Sequence, residues 1–177
     1  GVLSQKDRIK KIKEGIASVY PEVDVTGIEY RNVEPASHLD TVYFKLDYQL
    51  NNVAKSIGGM SIFSLPWSSK ASANDLQVSL PRTSGIDLSQ MFYLDSEVES
   101  ITVNLPAGKK MVEAVTPVNI QNDMVEYSLV PRQSGNKLTI TRTFKLKKDF
   151  VPADKVTEFN TVFKKMVEAD NKELAMR

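Results

Sequence analysis

Between Met91 and Lys148 the chain alternates apolar and polar residues in three separate runs. Ile101, Val103 and Leu105 form one set, Val125, Tyr127 and Leu129 a second, and Leu138, Ile140, Phe144 and Leu146 a third. A period of two places one set of side chains on a core and the other in water, which predicts antiparallel strands with one wet face. The punctuation between the runs supports this. Leu105-Pro106-Ala107-Gly108 and Ser134-Gly135-Asn136 supply a fixed φ, a permissive φ and a side chain that tolerates left-handed backbone.

The flanks add two helices and more strands. Ile9, Ile12, Ile16, Val19 and Tyr20 recur every three or four residues, predicting a helix over 4–20 that starts at Ser4 with Asp7 as a capping partner and stops at Pro21. Its opposite face carries Lys6, Arg8, Lys10, Lys11 and Lys13, read as a solvated face in preference to an anion-binding patch. Val23 to Tyr30 is predicted as a strand. Val42, Phe44, Leu46, Tyr48 and Leu50 give the cleanest alternation in the chain, with Val53 to Leu65 as its hairpin partner and Gly58-Gly59 as a kink or bulge. Short strands are predicted at Leu76 to Leu80, Met91 to Leu94 and Val98 to Leu105, with weaker ones at Val112 to Val115 and Pro117 to Ile120. After Asp149 the period changes to that of a helix. Pro152 suits its first turn, Val156, Phe159, Val162, Phe163, Met166 and Val167 make its apolar stripe, and Asn171 is its stop.

Together these elements predict a mainly β fold: an antiparallel β-sandwich of about seven to nine strands with an N-terminal and a C-terminal α-helix. The expected organisation is a helix over 1–21 leading from an upstream core, a sandwich over 22–150, and a helix over 151–177 packed on it, a single domain overall.

Composition narrows the function classes. The 177 residues carry 23 basic and 22 acidic side chains, a formal charge of +1 that argues against bulk electrostatic capture of nucleic acid or an anionic membrane. Cysteine is absent, so disulfides, thiolate metal sites and a cysteine nucleophile are excluded within the chain. No apolar run approaches the roughly 20 residues needed to cross a bilayer. Gly1-Val2-Leu3-Ser4 reads as a fragment start after a tag scar, with any signal peptide upstream.

Candidate chemistry is sparse. The single histidine, His38, stands beside Ser37 and Asp40, but a triad needs nucleophile and base oriented by separate elements. One histidine without cysteine is a poor zinc site, and Asp87 with Asp95 lacks the oxygen density that calcium requires. Glu97 and Glu99 share a strand face, which reads as two solvated carboxylates. Gly58-Gly59 lacks the Lys-Ser/Thr that a phosphate loop needs. No catalytic residue, cofactor or metal is therefore expected. Two residues stand out as candidate ligand contacts. Trp67 could stack on a sugar if exposed, the alternative being a plug at the end of the core. Arg142 interrupts the inward register between Ile140 and Phe144; it is either a ligand clamp needing carboxylate or carbonyl partners, or an edge or bulge position, which is the simpler account.

An ordered set of motifs carries a resemblance. Ser79 to Leu88 looks like an Arg-x-x-Pro-like opening segment, with Gly85 where proline is usual. Ile101-Thr102-Val103-Asn104-Leu105-Pro106-Ala107-Gly108 matches an apolar strand followed by a Leu-Pro-x-Gly turn. Thr139 to Phe144, then Phe150-Val151-Pro152 and Ala169-Asp170, match a last strand and helix. The set resembles the C-terminal domain of bacterial transglutaminase-like proteins of the Bacteroides type, over nearly the whole chain. In that family the domain follows a papain-like Cys-His-Asp core whose catalytic residues have no counterpart here. The resemblance implies a non-catalytic accessory domain in a secreted or periplasmic protein, partnered by the upstream core of its own polypeptide and supporting the core or its protein or peptide substrate. The alternative is a carbohydrate- or cell-surface-binding module. Neither nucleic acid nor membrane insertion is expected.

Overall fold

In a computed structural model of the chain the described residues are 4–19, 23–31, 41, 43–50, 54–70, 72, 82–89 and 96–177. The strands expected at Leu76 to Leu80 and Met91 to Leu94 lie outside them, as do Val42, His38 and Asp95. The chain is mainly β, with one helix toward each end, and the described residues contain eleven strands in four antiparallel sheets. Backbone proximity divides it into two compact units, 1–53 and 54–177, so the boundary falls inside the stretch expected to form one sandwich.

The first unit holds α1 (Gln5–Val19), β1 (Val23–Arg31) and β2 (Tyr43–Leu50). The expected capping pair is made: Asp7 N–H donates to Ser4 Oγ at 3.2 Å, and Ser4 Oγ donates to Asp7 Oδ2 at 2.6 Å. This satisfies one of the free amides of the first turn and leaves a carboxylate at the positive end of the helix. The partner of β2 is β1, not the segment after Val53; the two pair from Val23–Leu50 to Arg31–Tyr43 with a bulge between Val25 and Gly27.

The second unit begins with β3 (Lys55–Ile57) and β4 (Met60–Ser64). Gly58 and Gly59 are their two-residue hairpin loop instead of a kink within one strand. Both have positive φ, 56° and 82°, which the tight mirror-image turn between right-twisted strands requires. Next come β5 (Ile86–Asp87), β6 (Ser96–Asn104), β7 (Val118–Gln121), β8 (Val125–Ser134), β9 (Lys137–Leu146) and β10 (Phe150–Val151). Four of them, β6 to β9, form a sheet in the order β6-β9-β8-β7, while β10 pairs instead with β5. Pro131 is tolerated inside β8 because it lies beyond the last residue that pairs with β7.

The turns at Gly108 and Gly135 follow the sequence reading. Gly135 and Asn136 close the β8–β9 hairpin, with Gly135 at φ 58°. Pro106 to Lys109 is a turn closed by Lys109 N–H to the Pro106 carbonyl at 3.0 Å, and Gly108 takes the positive φ of 78° that its third position demands. Asn122 Oδ1 accepts from the amides of Met124 and Val125, at 2.9 and 2.8 Å, and so turns β7 into β8.

Pro152 opens a short 3-10 turn, Ala153–Lys155, that leads into α2 (Val156–Asp170). Asn171 ends it as expected, its amide and side chain both donating to the Val167 carbonyl, at 3.0 and 2.8 Å. The helix does not continue to 177. Glu173–Met176 is a strand, β11, that pairs with β4. Backbone bonds of Lys110 and Val112 to Arg177 and Ala175 continue that sheet by one further segment. Tertiary pairing thus decides a terminus too short for its own pattern to show.

One core cluster joins these pieces. The inward residues of β8 and β9 (Val125, Tyr127, Leu129, Leu138, Ile140, Phe144) meet Val156, Phe159, Phe163 and Met166 of α2, and Leu65, Trp67, Leu88, Val151 and Leu174 close it. The outer face of the four-stranded sheet is bound across β6 and β9 by hydroxyl pairs, Ser100 with Thr141 at 2.8 Å and Thr102 with Thr139 at 2.9 Å.

Candidate functional site: a buried guanidinium cluster

Arg142 sits in the inward register of β9, directly opposite Glu99 of β6 and Leu129 of β8. It is neither at an edge nor in a bulge, and only 4% of it is exposed. A guanidinium in that position needs carboxylate partners. Three reach it: Glu97 and Glu99 at 3.0 Å each on Nη2, and Asp170 at 2.9 Å on Nη1. The Ser69 carbonyl accepts from Nη1 at 2.7 Å, and Ser69 Oγ lies 3.1 Å from Nη2.

Two of the carboxylates come from β6 and the third from α2. Glu97 and Glu99 share strand parity with Ile101 and Val103, so the pleat that aims those apolar residues inward aims the carboxylates inward too. They are not the solvated pair the sequence suggested: their side chains are 26% and 20% exposed. Asp170 lies four residues beyond Met166, on the last turn of the buried stripe of α2. Tyr127 of β8 donates its hydroxyl to Asp170 Oδ1 at 2.6 Å. Burial, then the bond to Asp170, push the Tyr127 phenol well above its ordinary range, so it remains a donor.

Trp67 completes the cluster from the opposite side. The guanidinium carbon lies 4.7 Å from the centre of its indole, a cation–π contact. With 6% of the residue exposed, the ring is a core plug, not an open platform for a sugar. Both candidate ligand contacts are thus brought together, but against each other. The guanidinium's terminal nitrogens are occupied by protein acceptors, so the arrangement positions strands and loop and leaves Arg142 without the open donor pair that an anionic ligand would grip. Among the described residues no group of three or more His, Cys, Asp or Glu is placed to hold a metal ion.

Glu99 is the strained member. Burial pushes its carboxyl above the usual glutamate range, against the lowering effects of Ser68 and Arg142, and the nearby Glu97 adds to the rise.

Strand parity and the 163–166–170 helical spacing were both readable, and they are the signals that could have found Glu97, Glu99 and Asp170. The contribution of Ser69 had no sequence signal.

A family model described as a domain of unknown function with a solved structure, DUF3858, matches residues 62–176. The chain belongs to that family. No curated protein matches it. Among solved structures, it is similar in fold to a candidate protease from Parabacteroides distasonis, with a TM-score of 0.55 at 18% identity. That likeness covers 66% of this chain and 23% of the other, so this DUF3858 chain spans under a quarter of the protein it resembles. Among the described residues of the chain, no helix is long and apolar enough to cross a membrane.

Proposed function

We propose that this DUF3858 domain is a non-catalytic accessory domain of a longer, transglutaminase-like polypeptide, secreted or periplasmic, in which it supports the papain-like core or orients its protein or peptide substrate. The observation that carries the reading is the state of the polar cluster around Arg142. Glu97, Glu99 and Asp170 all turn inward onto the buried Arg142 guanidinium and occupy its terminal nitrogens. A cluster of that kind fixes the relative placement of strands and helix, which suits a rigid support. The fold likeness to under a quarter of a much longer candidate protease agrees with a module that works beside another part of its chain.

The test is removal of this segment from the full-length polypeptide. The expected result is a lower melting temperature of the remaining core, or a loss of turnover on protein substrates larger than that on small peptides. Unchanged stability and unchanged turnover on both substrate classes overturn the proposal.

A further inference from the structure

The segment Leu65 to Lys70 crosses the guanidinium cluster as a strap. Ser68 N–H donates to both oxygens of Glu99, at 2.9 and 3.2 Å, and Ser68 Oγ donates to Oε2 at 3.1 Å. Ser69 Oγ reaches the two Glu97 oxygens at 2.7 and 2.8 Å, and its carbonyl accepts from Arg142. The Trp67 ring packs against the guanidinium, so three successive strap residues are each held by a member of the cluster, Trp67 by Arg142, Ser68 by Glu99, and Ser69 by Glu97 and Arg142.

The charges on this arrangement do not balance. Among the described residues the groups facing it are Glu97 and Glu99 from β6, Arg142 from β9, Asp170 from α2 and Tyr127 from β8, while Ser68 and Ser69 bring no charge. One cation meets three carboxyl groups, none more than 26% exposed. Excess negative charge in so dry a place is costly, and a proton is the smallest ion that relieves it.

We propose that the Leu65–Lys70 strap is a proton-coupled latch, closed over Glu99 while the cluster holds one proton and slackening as that proton leaves. Glu99 is the group that holds it, because burial outweighs the bonds that favour its ionised form. Lifting the strap returns Glu99 to water and toward its ordinary value. Closing therefore takes up a proton: acid favours the closed strap, and the hold weakens as pH rises through the raised value.

The sole tryptophan, Trp67, reports the strap directly. Acrylamide quenching of its fluorescence is followed in the full chain from about pH 4 to about pH 8, a range that spans the ordinary glutamate value and neutrality. Quenching is expected to stay weak in acid and to grow through a one-proton transition centred above the ordinary glutamate value. Glu99→Gln abolishes the transition and leaves the ring protected throughout. Glu97→Gln, which removes a neighbouring negative charge and keeps Glu99, moves the midpoint down. A flat wild-type profile, or the wild-type transition surviving in Glu99→Gln, overturns the latch. Should Glu99→Gln not fold, an unmoved midpoint in Glu97→Gln overturns it by itself.

Discussion

The two units use the same strand grammar and reach different ends. β2 in the first unit has the most regular alternation in the chain, yet its inward candidates Leu46, Tyr48 and Leu50 are only partly buried and Phe44 is 48% exposed. β9 in the second unit has its alternation broken by a charge, yet Leu138, Ile140, Arg142, Phe144 and Leu146 are all buried. Where the side chains of 1–53 are described, none is buried, whereas one continuous cluster fills the second unit. A period of two says which side chains share a face. Whether that face becomes a core depends on a second layer, and in the second unit α2 with the residues beside β4 and β11 provides it.

The sharpest way to break this contrast is Arg142→Met. It leaves Glu97, Glu99 and the 3%-exposed Asp170 without their cation, and about 3–5 kcal/mol of stability should be lost in urea denaturation. A loss under about 1 kcal/mol would mean that the cluster is not what fixes the second unit. Paired truncations test the contrast itself. Ile140→Ala, at a position with no exposure, should cost about 2–5 kcal/mol, and Leu46→Ala clearly less; equal costs would show that the first unit has a core of its own.

Smaller effects sharpen the picture locally. A Cβ at Gly85 would collide with the Phe150 ring and the Val151 carbonyl, which explains why glycine stands at that point of the β5–β10 pair. Gly85→Ala is expected to lower stability by about 1–3 kcal/mol through overpacking, read as a drop in Tm. Ser4→Ala removes the cap of α1 and should cost about 1 kcal/mol, visible as lost helix signal with little change in the unfolding of the second unit. The exposed Lys10–Glu14 pair, 3.8 Å apart, should contribute no more than a few tenths of a kcal/mol, so Lys10→Ala serves as a control.

How far the cluster was legible follows from which periods its members obey. Arg142 announced itself by standing in an apolar register, and its need for carboxylates followed from the cost of burying a charge. Glu97 and Glu99 carried the parity of Ile101 and Val103, although read as isolated carboxylates they looked solvated. Asp170 carried the spacing of the α2 stripe. Ser68, Ser69 and the placement of Trp67 obeyed no period at all, because a strap follows the surface it lies on.

The amino-acid sequence by itself determined the local structure: the alternating strands, the α2 stripe and its Asn171 stop, the Ser4–Asp7 cap, and the turns at Gly108, Gly135 and Asn122. Each is decided within a few residues by sterics and hydrogen bonding, so the chain needs no distant partner to specify it. Only the tertiary structure decided that β1 is the partner of β2, that the last residues return as β11 beside β4, and that Arg142, Glu97, Glu99 and Asp170 meet under one strap. Those outcomes depend on contacts between segments up to about a hundred residues apart, where closing the loop costs entropy that only a shared core can repay.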